Sequence, residues 1–228
     1  MSLFRDRRHA GRVLAAALGK YRGTDVIVLG LPRGGVPVAY EVARALGAPL
    51  DVFVVRKLGV PGHEELAMGA LASGGLVVLN EYIVRSLGIT KEDIFEVTRT
   101  ENHELARRER AYRGGRAPVN SWGKTVVLID DGLATGATMR AAIRTLRQRT
   151  PARVVAAVPV AARETCSEMA DEADDMICAA TPEPFQAVGP WYEDFSQTTE
   201  LEIRELLEAA RREQEQREQA TGARAGGP

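Results

Sequence analysis

Near-continuous runs of valine, isoleucine and leucine, separated by helical patterns, are the feature that most restricts how this chain can fold. Six runs have the length and composition of strands: 25–30, 50–58, 75–80, 124–130, 152–160 and a short one at 175–179. Helical patterns lie between several of them, at about 36–47, 137–149 and 163–172. Strands that are apolar along their whole length are typical of parallel sheets covered on both faces. The sequence therefore predicts an α/β fold with an open, mainly parallel, twisted sheet and helices on both faces.

Two internal segments interrupt this alternation. Residues 58–80 contain two short apolar pieces around "ASGG", which favours an antiparallel excursion. Residues 90–113 are polar with sparse apolar positions, and Thr90 with Asp93 resembles a capping pair at the start of a long inserted helix. This helix would serve either the site or a subunit interface. With no repeat or linker evident, we expect one domain over residues 1–216 and a disordered tail over 217–228, where apolar residues are scarce.

Charge and composition exclude several classes of protein. A formal net charge of −1 gives no reason to expect a nucleic-acid partner or a membrane surface. The N-terminal run "VLAAALG" is too short for a membrane span and favours an amphipathic first helix over a signal peptide. Cys166 and Cys178 are the two cysteines, and we expect them to be reduced, mostly buried thiols. These observations predict a cytoplasmic protein.

The stretch "TVVLIDDGLATGATM" (125–139) carries the strongest chemical signal. It places two carboxylates, Asp130 and Asp131, at the end of a strand, where ligands bind in open parallel sheets. The small residues after them lead into a helix and allow backbone N–H groups to surround a phosphate. The carboxylates can then accept hydrogen bonds from the vicinal hydroxyls of a sugar. The alternative is an ordinary turn or cap, but the strand–loop–helix context favours a site for ribose 5-phosphate.

The same stretch resembles the 5-phosphoribosyl 1-diphosphate (PRPP) motif of type I phosphoribosyltransferases. It lacks both the Walker lysine and the G-x-G-x-x-G pattern of dinucleotide sites. The resemblance implies that Asp130 and Asp131 are the catalytic residues that hold the ribose 2- and 3-hydroxyls. It also implies that the 5-phosphate is bound by five successive residues: Ala134, Thr135, Gly136, Ala137 and Thr138.

A PRPP enzyme also needs a site for the diphosphate. "PRGG" follows the first predicted strand, and the resemblance implies that Arg33, Gly34 and Gly35 bind this group. The alternative is a tight turn with an exposed arginine. Lys57, expected where the second strand ends at the same edge, is a further diphosphate ligand, with Arg56 as its neighbouring alternative.

Two more segments have counterparts in the family. Residues 58–76 correspond to the flexible loop that closes over the substrates and excludes water. Residues 181–200 correspond to a small hood that selects the acceptor. Its candidate contacts are an aromatic and acidic group, Trp191, Tyr192, Asp194 and Phe195. The alternative is a hydrophobic patch that anchors the last helix.

The whole pattern resembles a group of bacterial phosphoribosyltransferases whose acceptor is not agreed. It implies transfer of the 5-phosphoribosyl group from PRPP to a nitrogen heterocycle, with a purine-like base favoured. The expected cofactor is Mg²⁺, held mainly by substrate oxygens, with Asp130 or Asp131 reaching it through water and no direct protein ligand. A homodimer is a further expectation. The alternatives are a PRPP- or nucleotide-sensing regulator without catalysis and, less favoured, a hydrolase acting on a phosphorylated sugar.

Overall fold

A computed structural model describes residues 2–225, with the side chains of residues 2–220, as two sheets surrounded by helices. Numbered in chain order, the strands of this part of the chain are β1 (Val26–Gly30), β2 (Leu50–Val52), β3 (Val55–Val60), β4 (His63–Ala72), β5 (Leu76–Leu79), β6 (Thr125–Ile129), β7 (Arg153–Val160) and β8 (Asp175–Ala180). Its helices are α1 (Arg7–Ala17), α2 (Gly35–Leu46), α3 (Glu81–Ser86), α4 (Lys91–Arg113), α5 (Ala137–Arg147), α6 (Arg163–Ala170) and α7 (Glu200–Ala225).

The larger sheet is parallel and has the strand order β2–β1–β6–β7–β8. Ile27 and Leu128 face a core that includes Ile143 of α5, whereas Val28 and Val127 face a second core built with α1 and α2. Because successive strand residues point to opposite faces, helices on both sides require apolar residues at every position. The predicted doubly covered parallel sheet is confirmed, with β6 at its centre.

The predicted second strand, 50–58, is wrong as a single element. The chain leaves the parallel sheet after β2 and starts β3 in a separate antiparallel sheet of order β3–β4–β5. The N–H of Val54 donates to Oγ of Ser73 at 2.9 Å, and the N–H of Ser73 donates back to the carbonyl of Val54. This local exchange begins the antiparallel ladder. The predicted third strand, 75–80, is therefore β5 of the small sheet.

The segment predicted as a flexible loop, 58–76, is mostly β-structure. It spans the end of β3, all of β4 and the turn into β5, and its outer tip, residues 61–66, is exposed. An exposed two-stranded tip has few apolar contacts to hold it in place, which is a property of segments that open locally. Its closure over a ligand stays a prediction.

Helix α4 matches the predicted inserted helix, and its start is the predicted capping box. The N–H of Asp93 donates to Oγ1 of Thr90 at 3.1 Å, while the N–H of Thr90 donates to the Asp93 carboxylate at 3.0 Å. At the other end, Arg113 pairs with Asp51 of β2 at 2.8 Å, with both side chains almost fully buried. Leu105 packs in one apolar cluster with residues of α7. Much of this helix therefore packs within the chain.

The C-terminal helix is longer than predicted. We expected it to give way to a disordered tail at 217, but α7 continues to Ala225, and residues 226–228 of that tail lie outside the described residues. Ion pairs between residues four apart, Arg211 with Glu215 and Glu213 with Arg217, support a helix whose surface has few apolar side chains. The helix therefore extends into the segment for which composition predicted a disordered tail, and the disorder of that tail stays a prediction.

Residues near the N-terminus form the predicted amphipathic helix α1. Asp6 caps it, because its Oδ1 accepts the N–H of His9 at 2.7 Å. Just before it, Phe4 forms a parallel bridge with Tyr192, so the start of the chain lies against the predicted hood. Among the helices of residues 2–225, none is long and apolar enough to cross a membrane. The cytoplasmic location itself stays a prediction.

The expectation of two reduced thiols is wrong. Cys166 of α6 and Cys178 of β8 form a disulfide, because α6 folds back along β8 and places residues 12 apart in sequence opposite each other. Sequence spacing gave no sign of this, since one cysteine pair can lie together or far apart. The disulfide also removes the argument from cysteine usage for a reducing compartment.

Reduction of this disulfide is expected to lower the free energy of unfolding by about 3 kcal/mol, because a closed loop of this length restricts the unfolded chain. For a domain of this size that corresponds to a fall in melting temperature of roughly 6–12 °C. Thermal unfolding with and without dithiothreitol measures this fall in melting temperature. The Cys166→Ser/Cys178→Ser variant should not respond to reductant. Two titratable thiols in the native, unreduced protein would contradict the bond.

Candidate functional site

The acidic pair follows the central strand of the parallel sheet. β6 ends at Ile129, so Asp130 and Asp131 lie at its carboxyl edge. The backbone N–H of Asp131 donates to Oδ1 of Asp130 at 2.9 Å, which fixes the orientation of that carboxylate. This is the edge at which the sequence predicted a ligand site.

The five residues predicted to bind phosphate end the loop after β6 and begin α5, whose first two residues are Ala137 and Thr138. Gly136 has φ of 71°, a left-handed conformation that favours glycine, and helix α5 begins at the next residue. Two hydrogen bonds hold the loop in place. The N–H of Leu133 donates to the Val160 carbonyl, and Oγ1 of Thr165 donates to the Ala134 carbonyl at 2.7 Å. The structure therefore supports this loop on both β7 and α6.

A cavity of about 160 Å³ joins this loop to Asp130, one of the two acidic residues. Residues 134–138 and Asp130 all line it, together with Val188 from the hood segment. Thr135 and Thr138 are exposed there and can donate hydroxyl hydrogen bonds to an anion. The open end of α5 adds the positive partial charge of a helix N-terminus. One cavity thus combines the Asp130 carboxylate with groups that can bind an anion.

The "PRGG" loop lies directly beside the acidic pair. A Cβ built on Gly34 would overlap Oδ2 of Asp131, and one built on Gly35 would be 2.5 Å from the Ile129 carbonyl oxygen. No side chain fits at either position. Arg33 is exposed next to them, after a cis peptide bond with Pro32. The two glycine-containing motifs, about 100 residues apart in sequence, therefore meet at one edge of the sheet.

Lys57 does not occupy the position that the sequence predicted. Instead of ending a strand of the parallel sheet, it lies within β3 of the small sheet, where it is exposed. It lines a cavity of about 240 Å³ with Ala137 and Arg140 of α5, on the side of the phosphate loop. Arg56 is committed to an ion pair with Glu101 at 2.6 Å. Of the two basic residues, Lys57 is the one available to a ligand.

The four hood candidates are not equally close to the acidic pair. The hydroxyl of Tyr192 donates to the backbone carbonyl of Asp131 at 2.6 Å, and the ring of Phe195 lies 5.1 Å from that of Tyr192. Trp191 stacks on Phe185, and Asp194 accepts the N–H of Ser196. The structure therefore brings Tyr192 to the site directly, while Trp191 and Asp194 contact other parts of the hood.

Arg7 is the site residue that sequence reasoning missed. Its Nε donates to Oδ2 of Asp131 at 2.8 Å, and its guanidinium carbon lies 4.0 Å from the centre of the Phe195 ring. Nothing in "RDRRH" distinguishes Arg7 from Arg5 or Arg8. The available signal was Asp6, whose capping role makes Arg7 the first residue of α1. The direction in which that residue points depends on tertiary packing.

The electrostatics of the pair are unequal. Burial and the adjacent charge of Asp131 raise the pKa of the Asp130 carboxyl well above its usual value, while the positive charge of Arg7 acts in the opposite direction. Burial raises the pKa of Tyr192, so its hydroxyl stays a donor to Asp131. In the absence of ligand, burial therefore favours the protonated form of the Asp130 carboxyl.

The donor set fits Mg²⁺ held mainly by a substrate. Residues 2–225 contain no cluster of three or more metal-ligating side chains, so the described part of the chain offers no protein cage. Asp130 and Asp131 place carboxylate oxygens at the mouth of an anion site, where water can bridge them to an ion. Mg²⁺ keeps several waters and commonly binds through one or two carboxylates and phosphate oxygens. The pair suits an ion that arrives with a phosphorylated ligand.

Comparison with known proteins places this geometry in a family. A family model described as the phosphoribosyl transferase domain matches residues 6–192. Proteins from two Mycobacterium tuberculosis strains, both named "Putative phosphoribosyl transferase", are 46% identical over 213 residues, which cover 93% of this chain and 48% of each relative. The chain thus spans about half the length of the curated relatives it matches.

Solved structures agree with the fold. TT1426 from Thermus thermophilus superposes with a TM-score of 0.81 and 44% identity, covering 91% of this chain and 98% of that one. A Neisseria gonorrhoeae protein solved with bound ppGpp has a TM-score of 0.50 and 13% identity, covering 92% and 97%, and shares the fold alone. On the family match and on the relatives at 46% identity, this chain belongs to the phosphoribosyl transferase family.

Proposed function

We propose that this protein transfers the 5-phosphoribosyl group of PRPP to a nitrogen heterocycle, with a purine-like base favoured, and releases diphosphate. The observation that carries the proposal is the single cavity that joins Asp130 to the loop 134–138. Its two ends match the two halves of ribose 5-phosphate, a diol and a phosphate. The "PRGG" loop beside the pair supplies a second position for an anion.

The roles of the residues follow from this arrangement. The loop 134–138 binds the 5-phosphate, while Asp130 and Asp131 accept hydrogen bonds from the ribose 2- and 3-hydroxyls. Arg33 and the backbone at Gly34 and Gly35 bind the diphosphate, since a guanidinium matches phosphate oxygens and glycines allow close approach. Lys57 approaches the same group from the small sheet.

The reaction breaks the bond between C1 of the ribose and the diphosphate oxygen, the acceptor nitrogen forms the new bond to C1, and the proton that this nitrogen carried is lost to water. Departure of the diphosphate leaves positive charge on the ribose ring, as in glycoside hydrolysis. The carboxylates of Asp130 and Asp131 are fixed near that ring and stabilise the developing charge. When bound, Mg²⁺ neutralises the leaving diphosphate. Closure of the 58–76 segment would exclude water, which competes with the acceptor.

A non-catalytic sensor on the same fold is the second candidate, and the two functions separate experimentally. Isothermal titration of PRPP with Mg²⁺ should show saturable binding, ribose 5-phosphate should bind more weakly, and ribose should not bind. Diphosphate release and new ribonucleotides, detected by mass spectrometry across a panel of bases, test transfer. Binding without turnover on any base would favour a sensor, for which ppGpp is a further ligand to titrate. Failure to bind PRPP would contradict both.

The assembly and location are proposals of the same kind. We infer a cytoplasmic homodimer that binds PRPP and a small-molecule acceptor, without a nucleic-acid partner. Light scattering after size exclusion measures the oligomeric state directly. A monomer at micromolar concentration would contradict the dimer and leave the proposed reaction untouched.

A further inference from the structure

Arg7 connects three parts of the candidate site that are distant in sequence. Besides its ion pair with Asp131, it donates from Nη1 to the carbonyl oxygen of Ser196 at 2.6 Å and stacks on Phe195. The side chains of Arg7 and Asp131 are only 11% and 16% exposed. A planar guanidinium with two directed hydrogen bonds and a ring against its face has a single orientation.

Each carboxylate of the acidic pair accepts a hydrogen bond from the protein at one of its two oxygens. Oδ1 of Asp130 accepts the backbone N–H of Asp131, and Oδ2 of Asp131 accepts Arg7. One oxygen of each carboxylate is thereby held by a donor of the protein, and the other oxygen is the candidate acceptor for a ligand hydroxyl. Arg7 thus fixes the orientation of the Asp131 carboxylate, as the backbone N–H of Asp131 fixes that of the Asp130 carboxylate. A side chain from the first turn of α1 thus orients half of the pair.

We propose that Arg7 is a positioning residue that orients the Asp131 carboxylate toward a ribose hydroxyl and couples that orientation to the hood. This inference rests on the proposed function. Because Arg7 bonds Asp131 and Ser196 at once, a hood that shifts on an acceptor also shifts the carboxylate. Arg7 therefore links acceptor binding to the geometry of the ribose site.

The same residue sets the charge of the pair. The titratable groups that face Arg7 are Asp130 and Asp131 at the end of β6, and Tyr192 and Asp194 of the hood. Arg7 supplies a positive charge among them and opposes the effects that raise the pKa of Asp130. Without Arg7, the Asp130 carboxyl should retain its proton to higher pH. A purely structural role for Arg7 would not move a pH profile.

The test is isothermal titration of Mg²⁺–PRPP between about pH 5.5 and 8.5 with three variants. Arg7→Ala should bind at least about tenfold more weakly, and the pH below which its binding is lost should rise by about one unit, since one pKa unit corresponds to tenfold in the equilibrium. Arg7→Lys keeps the positive charge but lacks the planar guanidinium that donates both hydrogen bonds. It should therefore bind Mg²⁺–PRPP more weakly, while the pH dependence of binding stays the same. Arg8→Ala is the matched control, because Arg8 pairs with Glu41 at 2.8 Å on another face of α1.

A second measurement does not depend on PRPP. Carboxyl carbon NMR of the ligand-free protein should show a higher pKa for Asp130 in Arg7→Ala than in the wild type or Arg8→Ala. Circular dichroism checks that each variant folds, and Arg7→Lys retains the packing if Arg7→Ala does not. If Arg7→Ala matches Arg8→Ala in affinity and in pH profile, this inference alone is overturned. If the wild type binds no PRPP, the proposed function fails with it.

Discussion

Replacement of Asp130 with asparagine is expected to stabilise the protein and to disable its site. At about pH 7.5 the melting temperature should rise by roughly 2–4 °C, the change that about 1 kcal/mol produces in a domain of this size. Turnover of PRPP should fall by about 100-fold, the loss seen when one group that stabilises transition-state charge is removed. The stabilising effect arises because burial and the neighbouring Asp131 disfavour the ionised Asp130 carboxyl.

The pH dependence has a definite sign. The pKa of Asp130 is higher in the folded protein than in the unfolded chain, so the folded state holds this proton more tightly. Wild-type stability therefore falls as pH rises from the unfolded pKa, about 4, through the folded pKa. Asparagine cannot ionise, so the advantage of Asp130→Asn should be largest above the folded pKa and disappear below about pH 4. Thermal unfolding at about pH 4 and at about pH 7.5 measures how the advantage of Asp130→Asn changes with pH.

Asp175 offers a control of opposite sign. Its hydrogen bonds from Lys20 and Tyr21 lower the pKa of its carboxyl, so it stabilises the protein at neutral pH and loses that effect as pH falls. Asp175→Asn should accordingly lower the melting temperature at about pH 7.5 and leave PRPP binding unchanged. A destabilised Asp130→Asn, or one whose gain is equal at both pH values, would contradict the unequal acidic pair.

The parts of the molecule that could be predicted are those whose signal is local. The strand ending at Ile129, the acidic pair and the loop 134–138 are continuous in sequence, so hydrophobic pattern and loop chemistry fix their relative positions. The capping box at Thr90 and Asp93 is equally local, and it is confirmed. The chemical roles of these residues still rest on the proposed function.

The features that sequence reasoning missed depend on contacts between distant segments. Arg7 and Asp131 are 124 residues apart, and only the docking of α1 beside the sheet brings them together. Lys57 was misplaced because nothing in "LDVFVVRKL" shows that the chain changes sheets after Val52. The disulfide was missed for the same reason, since its geometry depends on how α6 packs on β8. A periodic pattern reports which face of an element is buried, but it does not identify the neighbour.

Gly34→Ala is expected to abolish the site by a single added carbon. The new Cβ would overlap Oδ2 of Asp131 and would lie 2.6 Å from its Cγ and 3.0 Å from Nε of Arg7. Backbone strain plays no part, because Gly34 has φ of −65° and ψ of −30°, which alanine adopts freely. The Asp131 side chain would have to move and break its ion pair with Arg7. We therefore expect Mg²⁺–PRPP affinity to fall by about 100-fold, equivalent to about 2.7 kcal/mol.

Alanine substitutions at two other glycines separate this loss of affinity from a general loss of stability. At Gly19 no atom lies within 4 Å of an added Cβ, so Gly19→Ala should leave both affinity and melting temperature nearly unchanged. At Gly35 the added Cβ would meet the Ile129 carbonyl at 2.5 Å, and backbone cannot move aside as a side chain can, so Gly35→Ala should lower the melting temperature more than Gly34→Ala does. Gly34→Ala should combine a modest loss of stability, about 1–3 kcal/mol, with the large loss of affinity. Wild-type affinity in Gly34→Ala would show that Asp131 is free to leave its observed position, and would contradict its assigned contact with the ribose.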